Sequence, residues 1–286
     1  MDTKTLSDLT ADTRHPLDAA TTLAASGPNR WTGHTSKRYW AFIGPFGGAT
    51  AAALLRAALD HPERIGDPLA LTVNYCAPIV EGGFHITARA AKTNRSTQHW
   101  TLELFQQEGD VLATATAVFA KRRPGWTHAV TTMPRVPPPD GIKRFPAGIT
   151  TPWVDQYDMR FAVGTPALGK TPQPEPQSAE TILWLRDAIP RPLDHLSLAS
   201  MSDAFFGRVF HVLGVLVPFG TVSLTTYFHC GADEISSTDG WVLGRATASA
   251  FRAGFGDQTA ELWSPDGQLL ATSVQATYFR DWKPEE

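Results

Sequence analysis

The chain has 286 residues, 42% hydrophobic and 19% charged, with a formal net charge of −3. That length suits two average domains or one large one, with enough apolar chain to build a core without staples. The slight acidity provides no basic field for nucleic acid or an anionic membrane, and no run approaches the eighteen or so apolar residues of a membrane span.

The first segment, "MDTKTLSDLTADTRHPLD", is polar and has no apolar h-region, so no secretory leader is expected and the chain is placed in the cytoplasm. "GGATAAALLRAAL" (Gly47 to Leu59) is apolar nearly all round and predicts a helix buried by its own sheet. Strands follow over Ala70–Tyr75, Phe84–Lys92, Thr97–Gln106 and Val111–Lys121, the last two joined at the hairpin signal "EGD". "MPRVPPPDGIKRFPAG" (Met133 to Gly148) reads as an extended linker. A loop-rich piece, Val163 to Gln177, separates the strand-like "WVDQYDMRF" and "AETILWLRD" and is a candidate cover for an active site or an idle surface loop. A second helix is expected over Ser202–Gly214, then strands over Thr221–His229, Trp241–Ala250, Gln258–Trp263 and Leu269–Arg280, with "PDG" at the final turn. Helix followed by consecutive short-turned strands, twice over, predicts an α+β fold with antiparallel sheets. The expected division is residues 1–130, a Pro-rich linker 131–149, and residues 150–286. Cys76 and Cys230 each sit in a strand-like run and read as buried free thiols.

The two halves are copies. "LELFQQEGDVLATATAVF" lies over "AELWSPDGQLLATSVQAT" with Gly109 on Gly267, an offset of 267 − 109 = 158. Leu71 falls on Leu224 at 153, Arg89 on Arg245 at 156, and the two helices overlie at 155. Differences between copies mark where function diverged. Alternation puts Leu269, Ala271, Ser273, Gln275, Thr277 and Phe279 on one face, and the first copy has Val111, Ala113, Ala115, Ala117 and Phe119 there. Gln275 thus projects an amide where its twin, Ala117, has a methyl group. A buried amide without partners costs about 1–3 kcal/mol, so partners are expected. Asp203 falls at Gly48 and Thr221 at Pro68. An acid, a hydroxyl and an amide converging between helix and sheet would hold and polarise a water molecule, with the carboxylate as base. A core Asp bracing a loop and a solvent-facing Gln are the plain structural alternatives.

At these residues the sequence resembles the acyl-CoA thioesterase II family. The likeness rests on "FGGATAAALL", "PLALTVNYCAPIVEGG" and "QQEGDVLATATAVF" in the first half, and on "LASMSDAFF", "PFGTVSLTTYFH" and "AFRAGFGDQTAELWSPDGQLLATSVQ" in the second. It implies a double hotdog fold and a catalytic Asp, Thr and Gln, which here are Asp203, Thr221 and Gln275. It also implies an acyl-CoA substrate and water attack without an acyl-enzyme; no cofactor or metal is expected. The acyl chain is expected along Phe205, Phe206 and Phe210, with plain core packing as the alternative for all three. Arg252 and Arg95 are candidates for CoA phosphates, with a solvated surface arginine as the plain alternative. The chain departs from the family at Gly48-Ala49-Thr50, where relatives commonly carry a Gln, and at Ser223-Leu224-Thr225. A homodimer is expected from the way hotdog halves pair.

Rival chemistries lack their signatures: there is no G-x-S-x-G, H-E-x-x-H or Walker A motif, and the nine His show no zinc spacing. The other readings kept are a non-catalytic acyl-CoA-binding module and a hotdog hydratase, which would need an Asp and His presented together.

Overall fold

The computed structural model describes residues 14–166, 169, 171–235 and 240–280. The first half runs α1 (Pro16–Ala20), β1 (Ala24–Gly27), β2 (Arg30–His34), α2 (Gly47–Leu59), β3 (Asp67–Tyr75), β4 (Gly83–Thr93), β5 (Thr97–Phe105) and β6 (Val111–Ala120). The second runs β7 (Tyr157–Val163), β8 (Thr181–Asp187), α3 (His195–Met201), α4 (Arg208–Leu213), β9 (Phe219–Phe228), β10 (Val242–Thr247), β11 (Phe251–Arg252), β12 (Phe255–Trp263) and β13 (Leu269–Phe279). The eight strands expected after the two helices all form.

The strands make one antiparallel sheet, ordered β1-β2-β4-β5-β6-β3-β9-β13-β12-β10-β8-β7, with β11 paired to β12. The order reads as two copies of one pattern meeting back to back at β3 and β9. Register carries the same symmetry: Ala117 pairs with Leu71 and Trp100, while Gln275 pairs with Leu224 and Gln258. The offsets are 275 − 117 = 158, 224 − 71 = 153 and 258 − 100 = 158, so the strand repeat seen in sequence is a repeat in space. At the join, Thr72 lies opposite its own counterpart Thr225, their hydroxyls 3.0 Å apart. An internal two-fold axis therefore passes between two copies of one threonine.

α2 is buried along most of its length, because small alanines let it approach the sheet and α3 closely. Both halves contribute to one continuous core, which includes Leu54, Ala117, Phe119, Leu198, Leu224 and Phe228. A smaller cluster of Ile182, Trp184, Trp241, Leu243 and Trp263 is covered by Met133, Val136 and Ile142 of the linker, and Trp184 Nε1 donates to Pro137 O at 2.9 Å. This segment, with one 3-10 turn at Pro139–Gly141, lies over the cluster as a strap.

Three expectations are corrected. The second helix does not span Ser202–Gly214: α3 ends at Met201, and α4 begins only at Arg208. Asp194 fixes the α3 start by accepting from Ser197 N at 2.8 Å, and α3 is the helix packed on α2. Arg89 and Arg245 are not ladder equivalents, since Arg89 faces Thr101 whereas Arg245 faces Glu261, whose counterpart at 158 is Glu103, facing Thr87. Cys76 is exposed just beyond β3, and both cysteines are free. α1 and the β1–β2 hairpin were not foreseen; β1, "AASG", is exposed throughout and carries no apolar alternation.

Candidate active site

The helix pair determines where the acid goes. α3 ends at Met201 with Ser202 as its C-cap, and the next residue, Asp203, turns back toward the first turn of α2. There Gly47 and Gly48 leave room: a Cβ on Gly47 would sit 2.7 Å from Asp203 Oδ2, and one on Gly48 would collide with the Ser200 carbonyl and the Phe46 ring. The Gly48 N–H hydrogen bonds to the Asp203 carboxyl. Asp203 therefore faces Gly48 across the helix pair. One half supplies the helix N-terminus and the other supplies the acid.

Strand β13 completes the site from below. Its buried face is Ala271, Ser273, Gln275 and Thr277, the face that alternation selects. Gln275, 4% exposed, donates from Nε2 to Asp203 Oδ1 at 2.8 Å. Ser273 Oγ donates to Ser202 O at 3.2 Å and pins the turn that carries the acid. Burial raises the Asp203 carboxyl from 3.8 to about 7, while the bonds from Gly48 N–H and Gln275 pull it down. A carboxyl poised near neutrality is suited to accept a proton.

Asp203 and Gln275 open onto a cavity of about 290 Å³. Its walls include Phe46, Trp153, Phe205, Phe206, Phe210 and Phe219, so a polar pair sits at one wall of an aromatic chamber. Thr221 lines the same cavity, half-buried, and makes no side-chain hydrogen bond to Asp203 or Gln275 among the described residues. It pairs with Thr277 beside a bulge at Val222, and Pro68 pairs with Phe119 beside the matching bulge at Leu69. The Thr221 and Pro68 counterparts thus hold in space, and the bulge lies next to the cavity. Phe205, Phe206 and Phe210 all line the chamber.

Arg252 is exposed at the β11 tip and is not among the lining residues, and Arg95 is exposed in the β4–β5 turn. The described part of the Val163–Gln177 loop also stays off the cavity; it packs along α4, with Gln173 N donating to Leu213 O at 2.8 Å. Among the described residues no helix is long and apolar enough to cross a membrane, and no cluster of three His, Cys, Asp or Glu could hold a metal.

Sequence reasoning missed three neighbours of the acid. Tyr75 ends β3 and donates from its hydroxyl to Gly47 O at 2.7 Å; burial and the charge of Asp203 push that phenol well above its usual value. The Gly47–Gly48 start of α2 was read as a tight helix beginning, although two adjacent glycines at a helix N-terminus already signal close approach. Ser273 was legible, since its twin is Ala115 (273 − 115 = 158).

Comparison with known proteins agrees with this architecture. Residues 36–120 match the model of the acyl-CoA thioesterase N-terminal domain, and residues 129–279 match that of the C-terminal domain. A conserved hot dog fold protein of unknown function from Alicyclobacillus acidocaldarius is 44% identical, with 94% of this chain and 100% of that one covered and a TM-score of 0.88. The acyl-CoA thioesterase II TesB2 of Mycobacterium marinum shares the fold at 19% identity and a TM-score of 0.73, covering 94% of this chain and 100% of that one. A search of curated proteins found no match. The repeated sheet, the paired helices and the domain matches together place this chain in the acyl-CoA thioesterase family, with a double hotdog fold.

Proposed function

We propose that the chain hydrolyses a fatty acyl-CoA, or a related acyl thioester, to the free acid and CoA, using Asp203 as general base. The observation that carries this reading is the 2.8 Å bond from Gln275 Nε2 to Asp203 Oδ1, in a buried pair at the wall of an aromatic cavity. Apolar packing has no use for such a pair, because it keeps a carboxyl out of water at the cost of its ionisation.

In the reaction, a water held by Asp203 and Gln275, with the Thr221 hydroxyl as a further partner across the cavity, gives a proton to Asp203. Its oxygen bonds to the acyl carbon. The carbonyl oxygen becomes an oxyanion, for which the Gly47 N–H is the candidate donor, since first-turn N–H groups have no partner within the helix. The C–S bond then breaks, and the proton on Asp203 passes to the departing thiolate or to solvent. A thiolate leaves readily, so no strong general acid is required. The acyl chain runs along Phe205, Phe206 and Phe210.

The test is release of CoA thiol from acyl-CoAs of graded length, followed with a thiol-reactive dye, for the wild type, Asp203→Asn, Gln275→Ala and Thr221→Val. Asp203→Asn is expected to lower kcat by about 10²–10⁴-fold. Equal turnover in wild type and Asp203→Asn would remove the assignment. No turnover by the wild type on any acyl-CoA, together with tight binding of one, would make the chain an acyl-CoA-binding module.

A further inference from the structure

Arg208, the first residue of α4, is 2% exposed, yet no carboxylate pairs with it among the described residues. Its donors go to neutral groups. Nε and Nη2 bond to Phe206 O at 3.1 and 2.5 Å, Nη1 to Ala179 O at 3.1 Å and Thr181 Oγ1 at 2.6 Å, and Nε also to Gln258 Oε1 at 3.0 Å. Burial alone depresses this guanidinium, to about 9. A desolvated cation with no anion is costly, and packing gives no reason to keep one.

The bonds lead toward the acid. Phe206 O belongs to the segment that carries Asp203, Phe205 and Phe206, so Arg208 ties that segment down. Gln258, 3% exposed, stands directly opposite Gln275 in the β12–β13 ladder. Cβ atoms of such partners lie about 4.5–5.5 Å apart on one face, within reach of two glutamine side chains. Because Arg208 holds Gln258 Oε1, the amide is oriented with Nε2 away from the arginine, and that Nε2 is buried without a partner. The counterpart of Gln258 in the first half is Trp100 (258 − 100 = 158), so this amide also belongs to one half only.

We propose that Arg208 and Gln258 are positioning residues for the hydrolytic pair: donors pointing one way, from Arg208 to Gln258, from Gln258 Nε2 toward Gln275 Oε1, and from Gln275 Nε2 to Asp203, fix which end of the Gln275 amide faces the acid. The middle link is the bond the orphaned Nε2 is placed to make. The amide has two orientations. With its N–H₂ toward Asp203 it stabilises the carboxylate, which is the basic form. Reversed, its carbonyl would accept from a protonated Asp203 and stabilise the inactive form. Gln258 holds it in the first orientation. Among the described residues, the titratable groups with a charge interaction at Asp203 are the Tyr75 hydroxyl from β3 and the Tyr157 hydroxyl from β7, both neutral throughout the working range.

This inference rests on Asp203 being the base, so the experiment includes Asp203→Asn as its control. Arg208 anchors a buried segment, and the test is therefore placed on Gln258 in the full-length protein. Gln258→Glu keeps the acceptor for Arg208 and removes the donor; Gln258→Met removes both at similar size. In both, acyl-CoA hydrolysis is expected to lose about 10- to 100-fold in kcat, with KM changed by less than about threefold. The acid limb of kcat against pH should move up by roughly half a unit, with Gln258→Glu melting no lower than the wild type. If Asp203→Asn is inactive while both Gln258 variants keep wild-type kcat and acid limb, the positioning role fails and the base assignment stands. A lowered kcat with an unmoved limb and a lowered melting temperature makes Gln258 a packing residue and also overturns the proposal. An active Asp203→Asn overturns the base and this inference together.

Discussion

The two halves agree where strands pair and part where helices end. β6 and β13 keep the same register against their neighbours, and even the bulges at Leu69 and Val222 are repeated. In the helices, α2 runs unbroken for 13 residues, whereas the second half breaks its helix after Met201 and resumes at Arg208. Ladder hydrogen bonds tolerate no change of spacing, so duplication preserves them. A helix end has unsatisfied carbonyls that a turn can take up in many ways, so it is free to change. The break places Asp203 against the start of α2. The lesson is that the site belongs to neither copy: it is made where one intact helix begins and one broken helix stops.

The largest effect that would test this difference comes from Asp203. Replacing it with Asn is expected to abolish most turnover and also to stabilise the fold at neutral pH. The folded carboxyl is raised to about 7 from 3.8. Below 3.8 it is protonated in both states and contributes nothing. Between 3.8 and 7 the unfolded chain has lost a proton that the folded chain still holds, so stability falls as pH rises, by an amount on the order of a few kcal/mol. Asp203→Asn should remove that decline, seen as a flatter unfolding free energy between pH 4 and pH 8 in urea titrations. Wild-type kcat should rise through about pH 7 as Asp203 ionises. An Asn variant less stable than wild type at pH 8 would make Asp203 a structural brace.

How much of this was legible in the sequence follows from the same contrast. The strands, their turns and the inward face of β13 were readable, because alternation and repeat register are local properties of the chain. Gln275 against Ala117 exposed the amide correctly for that reason. Asp203 was singled out, but the helix expected over Ser202–Gly214 begins only at Arg208, and "SDAFFGRVFHVLG" carries no clear signal that its first residues form a turn. Phe205 and Phe206 read equally well as helix core. Tyr75 escaped notice because nothing local distinguishes a strand-end tyrosine that reaches a helix N-terminus from one in the core. β1, exposed and without periodicity, escaped for the opposite reason.

Smaller effects would follow from making each half resemble the other. Gly48→Ala would ordinarily gain about 0.5–1 kcal/mol in a helix by restricting the unfolded chain. Here the added methyl meets the Ser200 backbone carbonyl and the Phe46 ring. Overpacking of this kind costs about 1–3 kcal/mol, so the net sign should be destabilising. The same variant should weaken the Gly48 N–H bond to Asp203 and move the acid limb of kcat to higher pH. A more stable Gly48→Ala would show that the helices do not press together there. Ala117→Gln places the second-half amide in the first half, at a position 1% exposed and flanked by Trp100 and Leu71. With no acid facing it, the amide is expected to cost about 1–3 kcal/mol in chemical denaturation.

The smallest effect lies on the axis itself, where each half meets its own copy. Thr72 and Thr225 face each other across β3 and β9 with hydroxyls 3.0 Å apart, half-buried at the join. Valine keeps the β-branched shape that the strand favours, so Thr72→Val and Thr225→Val each test the hydroxyl alone. Each single change should cost about 0.5–1 kcal/mol, since it leaves one hydroxyl facing a methyl group. The two costs should be similar, because each hydroxyl faces the other, although Thr72 also pairs with Thr116 where Thr225 pairs with Val274. The double variant should cost no more than either single one, as both polar groups are then gone, giving a coupling of about 0.5–1 kcal/mol in a double-mutant cycle. Two singles that differ by more than about 1 kcal/mol would show that the difference between Thr116 and Val274 beside the pair is felt on the axis itself.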